Sequence, residues 1–168
     1  MREEEIRPSS IFDEYLRLTK IDTKVFFDNA LREPILCPAC GMRGDPAFNK
    51  HGFDYELCPD CDPLFVSPRP VNDAFIRYYS DAPSTEYWAT TFYKATADAR
   101  REMLWKPKAK LIHNITERFG FDNENVVDIG GGYGIFAEEM LSLFGREVTV
   151  IEPGLHLAKS CRDRGIIV

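Results

Sequence analysis

The sequence predicts an α/β protein in four parts: a helical start, a short cysteine-rich ribbon, a helical connector, and the opening strands of a parallel sheet. Three observations carry this. Cysteines recur as two Cys-x-x-Cys pairs, Cys37 to Cys40 and Cys58 to Cys61, with 17 residues between them. Apolar residues recur at helical spacing near the N-terminus and again between Phe75 and Phe119. Finally, the short β-branched run Val126-Val-Asp-Ile129 breaks into Gly130-Gly-Gly-Tyr-Gly134 before helical spacing resumes over Ile135 to Phe144. That order reads as strand, tight turn and helix, with the strand expected to be buried on both faces.

Composition narrows the function classes. A chain of 168 residues makes one domain or two small ones. Its 21 basic and 27 acidic residues leave it mildly acidic, which disfavours a nucleic-acid backbone as partner. The start, Met1-Arg-Glu-Glu-Glu-Ile-Arg-Pro8, has no apolar signal core, and no apolar run approaches a membrane span. A cytoplasmic protein with no membrane partner is expected. In a reducing compartment, close cysteine pairs are more often metal ligands than disulfides.

Residues 1–34 read as helices packed on the body of the protein. Ser10 is the expected N-cap, with Asp13 at the third helical position and Ile11, Phe12, Tyr15 and Leu16 on one face. A second short helix carries Val25, Phe26 and Phe27.

Residues 35–66 hold the most specific signal. The spacing lets two turns bring four thiolates, Cys37, Cys40, Cys58 and Cys61, into a tetrahedron around a metal ion, and zinc is the ion expected there. Between the pairs Phe53, Tyr55 and Leu57 alternate with Asp54 and Glu56 as in a half-buried strand. His51-Gly52 forms a turn before it and Leu64-Phe-Val66 a further strand. A ribbon of about 30 residues buries too little apolar surface to fold alone, so metal binding would supply its folding free energy. Four thiolates leave no open coordination position, so the zinc is expected to be structural. The ribbon has two basic residues (Arg43, Lys50) against five acidic ones (Asp45, Asp54, Glu56, Asp60, Asp62), a charge that repels phosphate backbones. His51 could replace a cysteine as ligand, although its place in a turn favours an exposed histidine.

Residues 67–123 form a helical connector. Ser67-Pro-Arg-Pro70 is stiff, Asn72 can cap a short helix carrying Phe75, Ile76, Tyr78 and Tyr79, and a helix from about Thr85 to Trp105 follows. Pro107 suits the first turn of another helix, with Leu111, Ile112, Ile115 and Phe119 in one stripe and Gly120 at its end. Two readings of the aromatics stand open: packing between helices, or a lid in which Tyr78, Tyr79, Tyr87 and Trp88 cover a ligand, since aromatic faces attract cations.

Residues 124–168 carry the glycine loop. Gly130, Gly132 and Gly134 let the backbone adopt positive φ and a ligand approach closely, with the N–H groups of the next helix behind. The dinucleotide fingerprint Gly-x-Gly-x-x-Gly, counted from Gly130, would need glycine where Ile135 stands. What stands instead is Asp128-x-Gly130-x-Gly132-x-Gly134, followed by a strand Val148-Thr-Val-Ile151 closed by Glu152, a helix from Leu155 to about Arg164, and Gly165 to Val168 as the start of a third strand. Cys161, the unpaired fifth cysteine, reads as a packing residue.

These motifs together resemble the class I S-adenosylmethionine-dependent methyltransferases that carry an N-terminal zinc-binding segment. The parts concerned are Cys37-Pro-Ala-Cys-Gly41, the second cysteine pair, Leu64-Phe-Val-Ser-Pro-Arg-Pro70, Tyr78-Tyr79 and Asp128-Ile-Gly-Gly-Gly-Tyr-Gly134. Some members of that group methylate carbon in nucleotide-linked deoxysugars. The resemblance implies that the chain ends in the first βαβα part of a Rossmann-like methyltransferase sheet. It implies S-adenosylmethionine as cofactor, with the glycine loop at its methionine end, Glu152 on the ribose and Asp128 fixing the loop or the methionine end. It also implies a small-molecule acceptor as partner. One departure is visible: Asp62 stands before Pro63 where such knuckles have glycine, so the second knuckle is expected to be distorted.

The expected crevice of such a sheet lies between its first and fourth strands, and only one wall is encoded here. The chain is therefore expected to be the N-terminal part of a longer or truncated methyltransferase, inactive alone, with an unpaired sheet edge prone to association. No catalytic base is assignable. Competing classes are a nicotinamide-dependent oxidoreductase, a non-catalytic zinc-ribbon binding module, and a ribosomal RNA methyltransferase, the last opposed by the acidic ribbon.

Overall fold

The computed structural model describes residues 3–121 and 125–168, so the expected boundary at residues 123 and 124 lies outside the described residues. Its helices and strands divide between two compact units, Arg17–Tyr78 and a second made of Met1–Leu16 with Tyr79–Val168. None of the described helices is long and apolar enough to cross a membrane.

Helix α1 (Glu3–Ile6) leads into α2 (Ser9–Phe27). The Glu4 carboxylate accepts from the Ser9 backbone N–H at 3.0 Å and its hydroxyl at 3.1 Å, so the helix begins before the expected cap Ser10. Val25, Phe26 and Phe27 continue α2 instead of forming a second helix. The reason is local: no glycine or proline interrupts Ser9 to Phe27.

Within the Arg17–Tyr78 unit, α2 is followed by β1 (Arg32–Glu33), β2 (Asp45–Lys50), β3 (Phe53–Leu57), β4 (Leu64–Val66), β5 (Arg69–Pro70) and the start of α3 (Asn72–Asp81). Strands β2, β3 and β4 form an antiparallel sheet in which Tyr55 faces Phe48 on one side and Val66 on the other. The expected stiff connector is tied down. Arg69 and Pro70 pair with Glu33 and Arg32, while the Ser67 hydroxyl accepts from the Ile35 N–H at 3.3 Å. Phe27, 4% exposed, centres the aromatic packing, its ring within 5.4 Å of those of Phe53, Phe75 and Tyr78.

In the other unit the chain runs helically from Pro83 to Arg118 without a gap. It comprises α4 (Pro83–Tyr87), a π-helical turn (Trp88–Phe92), α5 (Tyr93–Arg100), a second π-helical turn (Arg101–Trp105) and α6 (Lys106–Arg118). The break expected before Pro107 is absent. Proline lacks an N–H to give the preceding turn, and the wide π-turn immediately before it lets the helix pass.

Strand β6 (Val126–Ile129), α7 (Ile135–Phe144), β7 (Val148–Ile151) and α8 (Leu155–Asp163) complete the unit. β6 and β7 are parallel, with Val126 opposite Val148 and Ile129 opposite Ile151. Ile151 accepts from the Gly130 N–H at 2.7 Å, while the Val150 N–H donates to Ile167 at 2.8 Å. Alternate residues of a strand aim their N–H groups to opposite sides, so the segment around Ile167 lies along the edge of β7 away from β6. Val148 and Val150 on β7 pack with Ala109 of α6 and with Ala137 and Met140 of α7.

The expectation that β6 is buried on both faces is corrected. Among the described residues, helices cover one face only. Val127 is 52% exposed and Ile129 81%, and Ile151 on β7 shares that bare face. A short β-branched run reads the same whether one face or two are covered.

Candidate functional site

The four cysteines converge in the Arg17–Tyr78 unit, each pair placed by its own tight turn. In the first knuckle the Cys37 N–H donates to Met42 at 2.8 Å and the Gly41 N–H to Cys37 at 2.9 Å. In the second the Cys58 N–H donates to Pro63 at 3.0 Å and the Asp62 N–H to Cys58 at 3.1 Å. The two turns thus share one hydrogen-bond pattern, and the distortion expected at Asp62 is corrected. Asp62 takes φ +63°, the same left-handed region as Gly41 at φ +78°. Aspartate is among the few non-glycine residues enriched in that region.

The sulfurs of Cys37, Cys40, Cys58 and Cys61 all lie within 4.8 Å of one another, with Cys37 to Cys61 at 3.7 Å, Cys40 to Cys58 at 3.5 Å and Cys58 to Cys61 at 3.6 Å. A tetrahedron with metal–sulfur bonds of about 2.3 Å has edges of about 3.8 Å, so these residues could hold a metal ion. Acid–base properties within the cluster diverge. Burial pushes the Cys37 thiol up, but hydrogen bonds from the backbone at Cys40 and Ala39 and from the Cys40 and Cys58 thiols together outweigh it and bring the group down to about 7. The Cys61 thiol is pushed up, first by Cys40 beside it and then by burial. Thiols this close resist ionising together unless a cation compensates them. His51, exposed in the β2–β3 turn at φ +54°, is not one of the clustered ligands.

The glycine loop occupies the other unit, between β6 and α7. Gly130, Gly132 and Gly134 have φ of +76°, +57° and +75°. Here the loop meets the acidic end of β7. Glu152 accepts from the Gly132 N–H at 2.9 Å through Oε2 and from the Gly154 N–H at 2.7 Å through Oε1. Asp128, on β6, lies beneath the loop: its Oδ2 would be 2.9 Å from a Cβ on Gly131. All five residues expected to hold a cofactor, Asp128, Gly130, Gly132, Gly134 and Glu152, therefore belong to one local structure. A Cβ on Gly130 would meet nothing within 4 Å, so the loop is open on that side.

Burial raises the Asp128 carboxyl above its ordinary value, with Lys108 opposing the shift. A carboxyl group that holds its proton more tightly in the folded chain contributes stability below the ordinary carboxylate range and loses it as pH rises through the raised value. Asp128→Asn should accordingly melt at a higher temperature than the parent near pH 7. The gap should narrow toward about pH 3, and melting curves across that range would show it.

Four residues that sequence reasoning did not assign to the site surround the loop. The Cys161 thiol, fully buried, donates to the Gly132 carbonyl at 3.3 Å, so its packing role is exercised against the loop itself. Burial raises this thiol. Arg164 bonds the Tyr133 carbonyl and holds its guanidinium 4.0 Å from the Tyr133 ring. On the Tyr93 side the two tyrosine rings stack at 5.3 Å and 6°. Tyr133 alone carried a signal in the sequence, as the one side chain set among the glycines.

Of the aromatics expected as packing or lid, Trp88 packs. Its ring lies 4.4 Å from Tyr15 and 4.0 Å from Phe92. Tyr78 packs on Phe26 and Phe27 in the Arg17–Tyr78 unit. Comparison with protein-family models, with curated proteins and with solved structures finds no match for the chain.

Proposed function

We propose that the β6–loop–α7–β7 segment is the cofactor-binding start of a Rossmann-like, S-adenosylmethionine-dependent methyltransferase acting on a small-molecule acceptor, such as a nucleotide-linked sugar. We further propose that Cys37, Cys40, Cys58 and Cys61 hold a structural zinc ion. One observation carries the first reading: Glu152, twenty residues beyond Gly132, closes on the loop through the Gly132 N–H. That places an acceptor-only carboxylate beside a backbone loop with one open side, suited to hydroxyls of a nucleoside passing a glycine turn.

Each carboxylate oxygen of Glu152 keeps acceptor capacity after its backbone bond, and a ribose diol can use it. Asp128, raised by burial, suits a cationic or donor group at the other end of the ligand. The first turn of α7 adds backbone N–H groups without helical partners. When bound, S-adenosylmethionine supplies an activated methyl on a sulfonium. The chain's contribution is alignment, which is the main lever in an in-line displacement. For the metal, the Cys37–Cys61, Cys40–Cys58 and Cys58–Cys61 sulfur separations of 3.5–3.7 Å suit a closed thiolate tetrahedron, which would leave no position for substrate.

Calorimetric titration with S-adenosylhomocysteine and, separately, with NAD tests the assignment. The expected result is binding of the first and not the second. Glu152→Gln, which keeps an acceptor for the loop, should bind roughly tenfold or more weakly because a charge-assisted bond is lost. Preference for NAD, or no binding of S-adenosylhomocysteine, would remove the methyltransferase reading.

A further inference from the structure

Three glycines at positive φ give the loop backbone a freedom that no side chain of their own can limit. Something else must order it, and the structure assigns that task to Tyr133. We propose that Tyr133 is the positioning residue of the glycine loop, held in a clamp formed by Tyr93 and Arg164, and that ligand affinity depends on the clamp. The second half of this inference rests on the reading that the loop binds S-adenosylmethionine.

The clamp has two parts. The Tyr93 ring, 8% exposed, lies nearly parallel to that of Tyr133 at 5.3 Å. Its hydroxyl would stand 3.2 Å from a Cβ on Gly132, so Tyr93 also fills the space beside the loop. Arg164 holds its guanidinium 4.0 Å from the centre of the Tyr133 ring while bonding the Tyr133 carbonyl. Side chain and backbone of one residue are thus gripped by one guanidinium.

Neither part is loose. Arg164 is held by Glu138 of α7 at 2.9 Å, and Glu138 is itself paired with Arg101 of the second π-helical turn. Arg101 also pairs with Glu139, which is 3% exposed. Tyr93 meets Trp88 edge-on at 5.5 Å, and Trp88 stacks on Phe92 and lies 4.4 Å from Tyr15. An aromatic column therefore runs from α2 through the helical run to the loop. Aromatic pairs in offset or edge geometry and guanidinium–ring pairs are favourable beyond their buried area. The two π-helical turns sit where the column and the ion pairs leave the helix, as such turns often do at functional positions.

A side chain that merely fills space would stabilise the whole unit. A positioning residue orders the loop above its surroundings. Hydrogen exchange of the full chain separates the two, with peptides over Gly130–Gly134, β7 and β3 read in parallel. Tyr133→Ala and Arg164→Met should accelerate exchange in the loop about tenfold or more while β7 and β3 stay within about twofold. Tyr133→Phe, which keeps the ring, should restore parental exchange. Unchanged loop exchange in Tyr133→Ala, or acceleration shared equally by β7, would overturn the clamp.

Titration with S-adenosylhomocysteine forms the second arm. Tyr133→Ala is expected to lose about tenfold in affinity or more, and Tyr133→Phe to match the parent. Parental binding that Tyr133→Ala leaves intact would overturn the link to affinity while the cofactor reading stands. A parent that does not bind S-adenosylhomocysteine overturns the cofactor reading and that link with it, and the exchange data alone then decide the clamp.

Discussion

Treating the purified chain with a strong chelator is expected to unfold the Arg17–Tyr78 unit. The buried groups around the ribbon explain why. Besides Cys37 and Cys58, the cluster there contains Phe65, with Ile35 packed against it. β2 is exposed at all six positions, so it adds hydrogen bonds and almost no apolar burial. A unit of about sixty residues has a net stability of only about 3–9 kcal/mol. A four-cysteine site with zinc contributes an apparent binding free energy of about 10–16 kcal/mol near neutral pH, more than the whole of that margin. Chelation should therefore abolish hydrogen-exchange protection in β3 and β4, and zinc added back should restore it. Cys58→Ser, which removes a fully buried thiol of the cluster, should reproduce the loss without chelator. Elemental analysis finding no metal in protein never exposed to chelator, or β3 protection that survives chelation, would rule the metal out as the support of this unit.

What could be read before the structure, and what could not, follows from how local each cause is. The four clustered cysteines were legible because their arrangement is local: two turns, each closed by its own backbone bonds within six residues, produce the whole cluster. The glycine loop was legible for the same reason, since positive φ at Gly130, Gly132 and Gly134 is demanded by the turn itself. β2 was not legible. Its six exposed residues show no alternation, and it is a strand only because β3 lies beside it. The π-helical turns left no mark in residue type. Tyr93 could not be found either, because it reaches the loop across forty residues by way of a helix whose course depends on those turns. Asp62 shows the opposite error: a rule about residues before proline was applied correctly, yet the closed turn overrode it and drew the residue into the left-handed region.

The glycines of the loop should respond unequally to the same substitution, and the order tests both the packing and the proposed function. A Cβ on Gly134 would come within 2.5 Å of Ile166 and 2.9 Å of the Cys161 sulfur, at φ +75°. The backbone conformation alone costs an alanine about 1–2 kcal/mol. The end of the Ile166 side chain can shift, but the Cys161 sulfur is fully buried and bonded to Gly132, so overpacking against it adds about 1–3 kcal/mol. Gly134→Ala is thus expected to lose about 2–5 kcal/mol, read as a lower urea midpoint at unchanged slope. Gly132→Ala should fall in between, since the Tyr93 hydroxyl stands 3.2 Å from its Cβ position. Gly130→Ala meets nothing within 4 Å and should lose only the conformational part. Equal losses at Gly130 and Gly134 would show that packing beneath the loop is not what requires glycine there. The same open space that spares stability at Gly130 is where a ligand would approach. Gly130→Ala is therefore expected to remain folded and yet bind S-adenosylhomocysteine about tenfold more weakly, so that stability and binding separate at a single methyl group.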